Sequence, residues 1–89
     1  VENNRETLLK FPCEFPIKVM GRSGINLRDR VIEIVSRHAG QFSTRALTIR
    51  TSRNGNYVSV TAVVPATSQR QLDDIYRELS ACESVLIAL

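Results

Sequence analysis

The stretch that decides the fold is Arg53-Asn54-Gly55-Asn56, followed by Tyr57-Val58-Ser59-Val60-Thr61-Ala62-Val63-Val64-Pro65. Asn-Gly between two alternating runs is the strongest short-range hairpin signal, because the tight turn it favours needs positive φ at both central positions. On the C-terminal side, Val58, Val60, Ala62 and Val64 share one face of a strand over 57–64, Tyr57, Ser59 and Thr61 share the other, and Pro65 closes it. On the N-terminal side, Ser43 to Arg53 alternate likewise, with Leu47 and Ile49 on one face and Ala46, Thr48 and Arg50 on the other.

Upstream of this hairpin the period changes. Leu27, Val31, Ile34, Val35 and His38 recur at helical spacing, Asn26 stands where an N-cap belongs, Asp29 places a negative charge in the first turn, and Gly40 is a natural stop. Arg30, Glu33 and Arg37 mark the outward face. Before that helix, Phe15, Ile17 and Val19 alternate with Pro16, Lys18 and Met20 in a strand over 15–20 that ends at Gly21. Downstream, Ser68 and Gln71 form a capping box for a second helix with the stripe Leu72, Ile75, Tyr76 and Leu79. The apolar run Ser84 to Leu89 then predicts a last strand.

The order is β-α-β-β-α-β. Two right-handed β-α-β units joined by the central hairpin interleave to give strand order 4-1-3-2, an α+β ferredoxin-like sandwich with a four-stranded antiparallel sheet and both helices on one face. Residues 14–89 form the single domain, and residues 1–13 an N-terminal arm that packs Leu8, Leu9 or Phe11 onto it.

Composition sets bounds on function. At 89 residues the chain supports one modest core, and 43% apolar with 24% charged residues is ordinary for a globular protein. A formal net charge of +3 is mild for a domain that must neutralise many phosphates, although ten of the twelve basic residues are arginines, which suit bidentate contact with carboxylate or phosphate. No apolar run approaches the roughly 20 residues needed to span a bilayer. The opening residues lack the basic and apolar regions of a secretory signal, while a start at Val1 rather than Met leaves room for an upstream segment. Cys13 and Cys82, without CxxC spacing or a histidine cluster, read as ordinary cytoplasmic thiols, and no metal site or cofactor is expected.

Three stretches carry a family resemblance: Phe11-Pro12-Cys13-Glu14-Phe15-Pro16-Ile17-Lys18-Val19-Met20-Gly21, Val35-Ser36-Arg37-His38-Ala39, and Gly55-Asn56-Tyr57-Val58-Ser59-Val60 continuing to Pro65-Ala66-Thr67. They resemble the YbeD-like family of small bacterial proteins. The resemblance implies a ferredoxin-like domain similar to the ACT-type regulatory domains that bind small ligands, with no assigned activity and no catalytic residues to carry over.

Three surfaces are candidates for function. The loop Gly21-Arg22-Ser23-Gly24, leading to Asn26, enters the first helix where free N–H groups could receive an anion, as the resemblance to ACT-type domains implies; a lone GxxG also serves as a plain turn and matches neither the dinucleotide nor the P-loop pattern. The open sheet face carries Lys18, Met20, Thr48, Arg50, Tyr57, Ser59 and Thr61. Residues 53–60 faintly resemble the RNP1 motif of RNA-binding domains, but Tyr57 is the only aromatic on that face. The final strand lies at a sheet edge with Val85, Ile87 and Leu89 on one face and Leu86 and Ala88 on the other, so the arm or a second copy must cover it, whereas Arg45, Arg50 and Arg53 protect the opposite edge. His38 reads as a packed helix-terminal residue, and neither cysteine nor any Ser or Thr sits in a nucleophile's setting. The expectation is a non-enzymatic regulatory or interaction module, cytoplasmic and dimeric, that binds a small anionic metabolite or a partner protein. RNA binding and a small enzyme with an unrecognised site are the alternatives.

Overall fold

Cys13–Arg22 forms β1, whose alternation of inward Ile17 and Val19 with outward Pro16, Lys18 and Met20 follows from the pleat. The computed structural model of the chain describes residues 10–24, 26–40, 42, 45 and 47–89. Leu8 and Leu9 of the expected arm, and Ser43 and Ala46 of the second strand, lie outside the described residues. The remaining elements are α1 (Leu27–Ala39), β2 (Leu47–Thr51), β3 (Tyr57–Ala66), α2 (Gln69–Ala81) and β4 (Ile87–Ala88). The sheet runs β2-β3-β1-β4 with every neighbouring pair antiparallel, which is the expected 4-1-3-2 order read from its other edge.

Both helices bury the stripe their spacing predicts. Leu27, Val31, Ile34 and Val35 of α1 and Leu72, Ile75 and Leu79 of α2 close over Ile17, Val19, Val60, Ala62 and Val64 of the sheet. Tyr76 packs partly against this core, and burial pushes its phenol above the ordinary pKa of 10.0. The capping box forms with one variation: Gln71 N–H donates to Ser68 Oγ at 3.1 Å, but the Gln71 side chain accepts from the Thr67 N–H at 2.7 Å, one residue earlier than usual. Its amide then donates to the His38 carbonyl at 3.2 Å, tying the end of α1 to the start of α2. Ser68→Ala should therefore cost about 1 kcal/mol, read as a lower urea midpoint at unchanged m-value.

Pro65 does not close β3, which pairs it with Glu14 and runs on to Ala66, and β2 ends at Thr51 rather than Arg53. The structure departs from the sequence expectation at four further places. First, β1 does not end at Gly21 but runs on to Arg22, paired with Tyr57. Second, Asn26 precedes α1 without capping it by its side chain, which instead donates to Asp29 Oδ2 at 2.7 Å. Third, the Asn-Gly hairpin is not a two-residue turn. Gly55 alone of its residues has positive φ, Gly55 N–H donates to the Ser52 carbonyl, and the loop closes only where Ser52 N–H meets the Tyr57 carbonyl. Ser52 Oγ accepts from the Tyr57 N–H at 3.0 Å, so its hydroxyl lengthens the loop by replacing a ladder acceptor.

Fourth, the last strand is two residues long. Val85 and Ala88 pack against the core while Leu86, Ile87 and Leu89 are exposed, so Val85 is not on the same face as Ile87 and Leu89. A turn from Cys82 to Val85 delays the strand, and Leu86 N–H donates to the Met20 carbonyl, one position out of step with the Met20/Ile87 register.

Candidate functional site

The strand register arranges the outward side chains in rows. Ile87, Met20, Ser59 and Arg50 form one row across β4, β1, β3 and β2. Leu89, Lys18, Thr61 and Thr48 form the next, since Lys18 and Leu89 exchange backbone hydrogen bonds of 3.0 and 2.7 Å. Arg22 and Tyr57 pair beyond the first row, at the hairpin end. All seven residues expected on the open face thus lie on it, joined by Arg22 from the first loop and by Ile87 and Leu89 from the last segment. Among the described residues no helix covers this side, and Tyr57 remains 45% exposed and Leu89 65%.

The first loop merges with this face through the hairpin. Ser23 N–H donates to the Asn56 carbonyl at 2.9 Å and Ser23 Oγ donates to the Gly55 carbonyl, so Ser23 straps the two together. Gly24 takes φ +86 in open space, the left-handed conformation for which glycine is suited. Gly21 serves a different need: it is buried, and a Cβ there would lie 2.5 Å from the Ser84 carbonyl oxygen and 3.1 Å from Leu27 Cδ2. Of the loop's proposed donors, Ser23 and Asn26 are exposed but engage their side chains in hydrogen bonds to Gly55 and Asp29, while Arg22 is exposed on the open face.

Charge is sorted by layer. The two helices carry five arginines and five carboxylates, and most are matched locally: Arg28 with Asp29 at 3.2 Å, Arg30 with Glu33 at 3.4 Å, and Arg77 with Asp74 at 2.9 Å. Arg37 bridges Glu33 on its own helix and Glu78 on α2, and His38 Nε2 meets the other Glu78 oxygen. This interhelical cluster, which joins residues forty apart in sequence, is absent from the sequence expectation for His38. Lys18, Arg22 and Arg50 on the open face, and Arg53 in the adjoining turn, by contrast, have no carboxylate partner among the described residues. Glu14, the carboxylate on the open face, lies four residues from Lys18 along β1, about 13 Å away and beyond the screening length of roughly 8 Å at physiological salt.

The geometry bears on what the face can hold. A hollow of about 110 Å³ lies among Met20, Arg50, Tyr57 and Ser59. Others of about 240 and 230 Å³ lie beside Pro12, Glu14 and Pro65 and between α1 and α2 beside Arg37 and Glu78. Each is smaller than the roughly 300–1,000 Å³ of small-molecule sites. Among the described residues no three His, Cys, Asp or Glu side chains converge to hold a metal ion, and no helix is long and apolar enough to cross a membrane. Cys13 and Cys82 carry free thiols, each half-buried against the core.

Fold and face together define a small α+β domain, a split β-α-β sandwich with one cationic sheet surface that no described helix covers. Residues 6–89 match the family described as "Protein of unknown function (DUF493)". A UPF0250 protein of Nitrosomonas europaea is 45% identical over 74 residues, covering 83% of this chain and 85% of that one. UPF0250 proteins of Paraburkholderia phymatum and Neisseria gonorrhoeae are 39% and 40% identical over 84 and 88 residues, covering 94% and 99% of this chain and 94% and 97% of theirs. The chain belongs to this DUF493/UPF0250 family of small bacterial proteins, the YbeD-like family its motifs resemble.

Proposed function

We propose that the chain is a non-enzymatic interaction module whose open sheet face receives an anionic surface of a partner protein. The observation that carries this reading is the layered charge: the helices are internally balanced, and Lys18, Arg22 and Arg50, with Arg53 in the adjoining turn, stand without a carboxylate partner among the described residues around an apolar floor of Met20, Tyr57, Ile87 and Leu89. Desolvated apolar centres rimmed by charge suit protein recognition. The hollow on the open face, about 110 Å³, is too small to enclose a metabolite, so that face suits a macromolecular surface.

The test is fluorescence anisotropy with a labelled oligo-glutamate peptide. Binding should weaken with salt, and the triple variant Lys18→Glu, Arg22→Glu, Arg50→Glu should bind roughly 10- to 100-fold more weakly, at about 0.5–1 kcal/mol per reversed charge. Arg70→Glu, on the helical layer, should change little. Tyr57, exposed among cations, supports RNA as a second reading. Single-stranded RNA that outcompetes the peptide and is lost on Tyr57→Ala would replace the protein partner with RNA.

A further inference from the structure

The sheet is wider than the helical layer that covers it. In the inward row of Ala88, Val19, Val60 and Ile49, Val19 and Val60 are fully buried whereas Ile49 is 46% exposed. Thr51 on the same side is exposed and Leu47 only half-buried. β2 therefore overhangs, with a bare apolar side chain on its helix side, Arg50 on its open side and a sheet edge between them.

The ladder fixes which backbone groups line that edge. Ser52 N–H donates to the Tyr57 carbonyl at 2.8 Å. Antiparallel alternation from that position directs the N–H and C=O groups of Arg50 and Thr48 toward β3, and those of Leu47, Ile49 and Thr51 outward. β2 thus offers a five-residue template, whereas β4 at the other edge offers two residues beyond a break in register. Arg50 and Arg53 would repel a second β2 brought alongside, which disfavours self-pairing, and the same charges favour an acidic strand.

We infer that β2 is a docking edge that takes an extended acidic segment of the partner protein as a fifth strand. Alternate residues of that segment fall on opposite sides of the sheet, so its apolar side chains lie beside Ile49 and its carboxylates beside Arg50. Main-chain hydrogen bonds supply affinity and the two-sided alternation supplies specificity. This inference rests on the anionic-partner reading and adds how the partner is held.

The test uses the whole chain and two labelled nonapeptides of equal composition, one alternating Glu with Val and one with its Glu residues clustered. The alternating peptide should bind at least tenfold more tightly and slow amide exchange at Leu47, Ile49 and Thr51. Ile49→Pro removes an outward N–H without touching the β2/β3 ladder, a position where an edge strand tolerates proline. It should cost the alternating peptide at least tenfold and leave the clustered peptide unchanged. Should Ile49→Pro fail to fold, Arg50→Glu decides, with preference expected to switch to a peptide alternating Lys with Val; an unchanged preference overturns the inference. Equal binding of both peptides, with amide shifts at Lys18 and Arg22 but none along β2, overturns strand addition and leaves the anionic-face reading standing. Binding of neither peptide overturns both.

Discussion

Gly21→Ala is expected to lower the melting temperature by roughly 10–20 °C. The added methyl would sit 2.5 Å from the Ser84 carbonyl oxygen, a backbone atom that cannot swing aside as a side-chain end can. Relief requires β1 and the segment leading into β4 to separate, and overpacking of this kind costs about 1–3 kcal/mol. The rigid obstacle and the additional contact with Leu27 place the cost at the upper end, and each kcal/mol is worth roughly 4–8 °C in a domain of this size. Calorimetry on the variant checks it, with Gly24→Asn as the control, since that glycine has open space around it and asparagine tolerates its conformation. A melting temperature within 2 °C of the parent would show that the close approach is not made in solution. The functional consequence is local, since the close approach adjoins the β1/β4 pairing that places Ile87 and Leu89 beside Met20 and Lys18.

The second large effect separates two isoleucines that composition alone treats alike. Ile75 is fully buried between α2 and the sheet, and Ile75→Ala should cost about 2–5 kcal/mol through lost burial and the cavity left behind. A chain of this length has a total stability of roughly 5–13 kcal/mol, so the substitution removes between about a sixth and all of it. Ile87, at 49% exposure, should tolerate alanine within about 0.5 kcal/mol. Urea midpoints of the two variants check the contrast. A large loss at Ile87 would mean that the last segment lies inward, as the unbroken alternation of 84–89 suggests.

Periodicity made most of the architecture legible. Strands repeat every two residues and helices every 3.6, so Ile17 with Val19, Val31 with Val35, and Leu72 with Ile75 reveal their elements without any tertiary information. Two of the departures in detail share a cause. Asn54-Gly55 announces a turn, but the turn's length depends on a Ser52 hydroxyl competing for the Tyr57 N–H. The run 85–89 is apolar throughout, so its composition does not say which alternate residues turn inward, and the segment passes close to Gly21 some sixty residues earlier in the chain. The candidate site was legible as a face and hidden as a charge pattern. Acid and base alternate along the chain, and they separate only when helical residues fold to one side and Lys18, Arg22 and Arg50 to the other. The overhang of β2 was equally hidden, because alternation says which side Ile49 is on and nothing about whether a helix reaches it.

Layered charge also makes the domain an electric dipole directed from the balanced helical layer to the cationic sheet face. A net charge of +3 attracts an acidic macromolecule from any direction. A dipole does more: in the field of an approaching anion it exerts a torque that turns the sheet face toward the visitor before contact, so that a larger fraction of collisions arrive correctly oriented. That torque fades over a Debye length of roughly 8 Å at physiological salt and reaches about 30 Å at 0.01 M. Tumbling near a charged surface should accordingly be anisotropic in dilute buffer and become isotropic as salt is added.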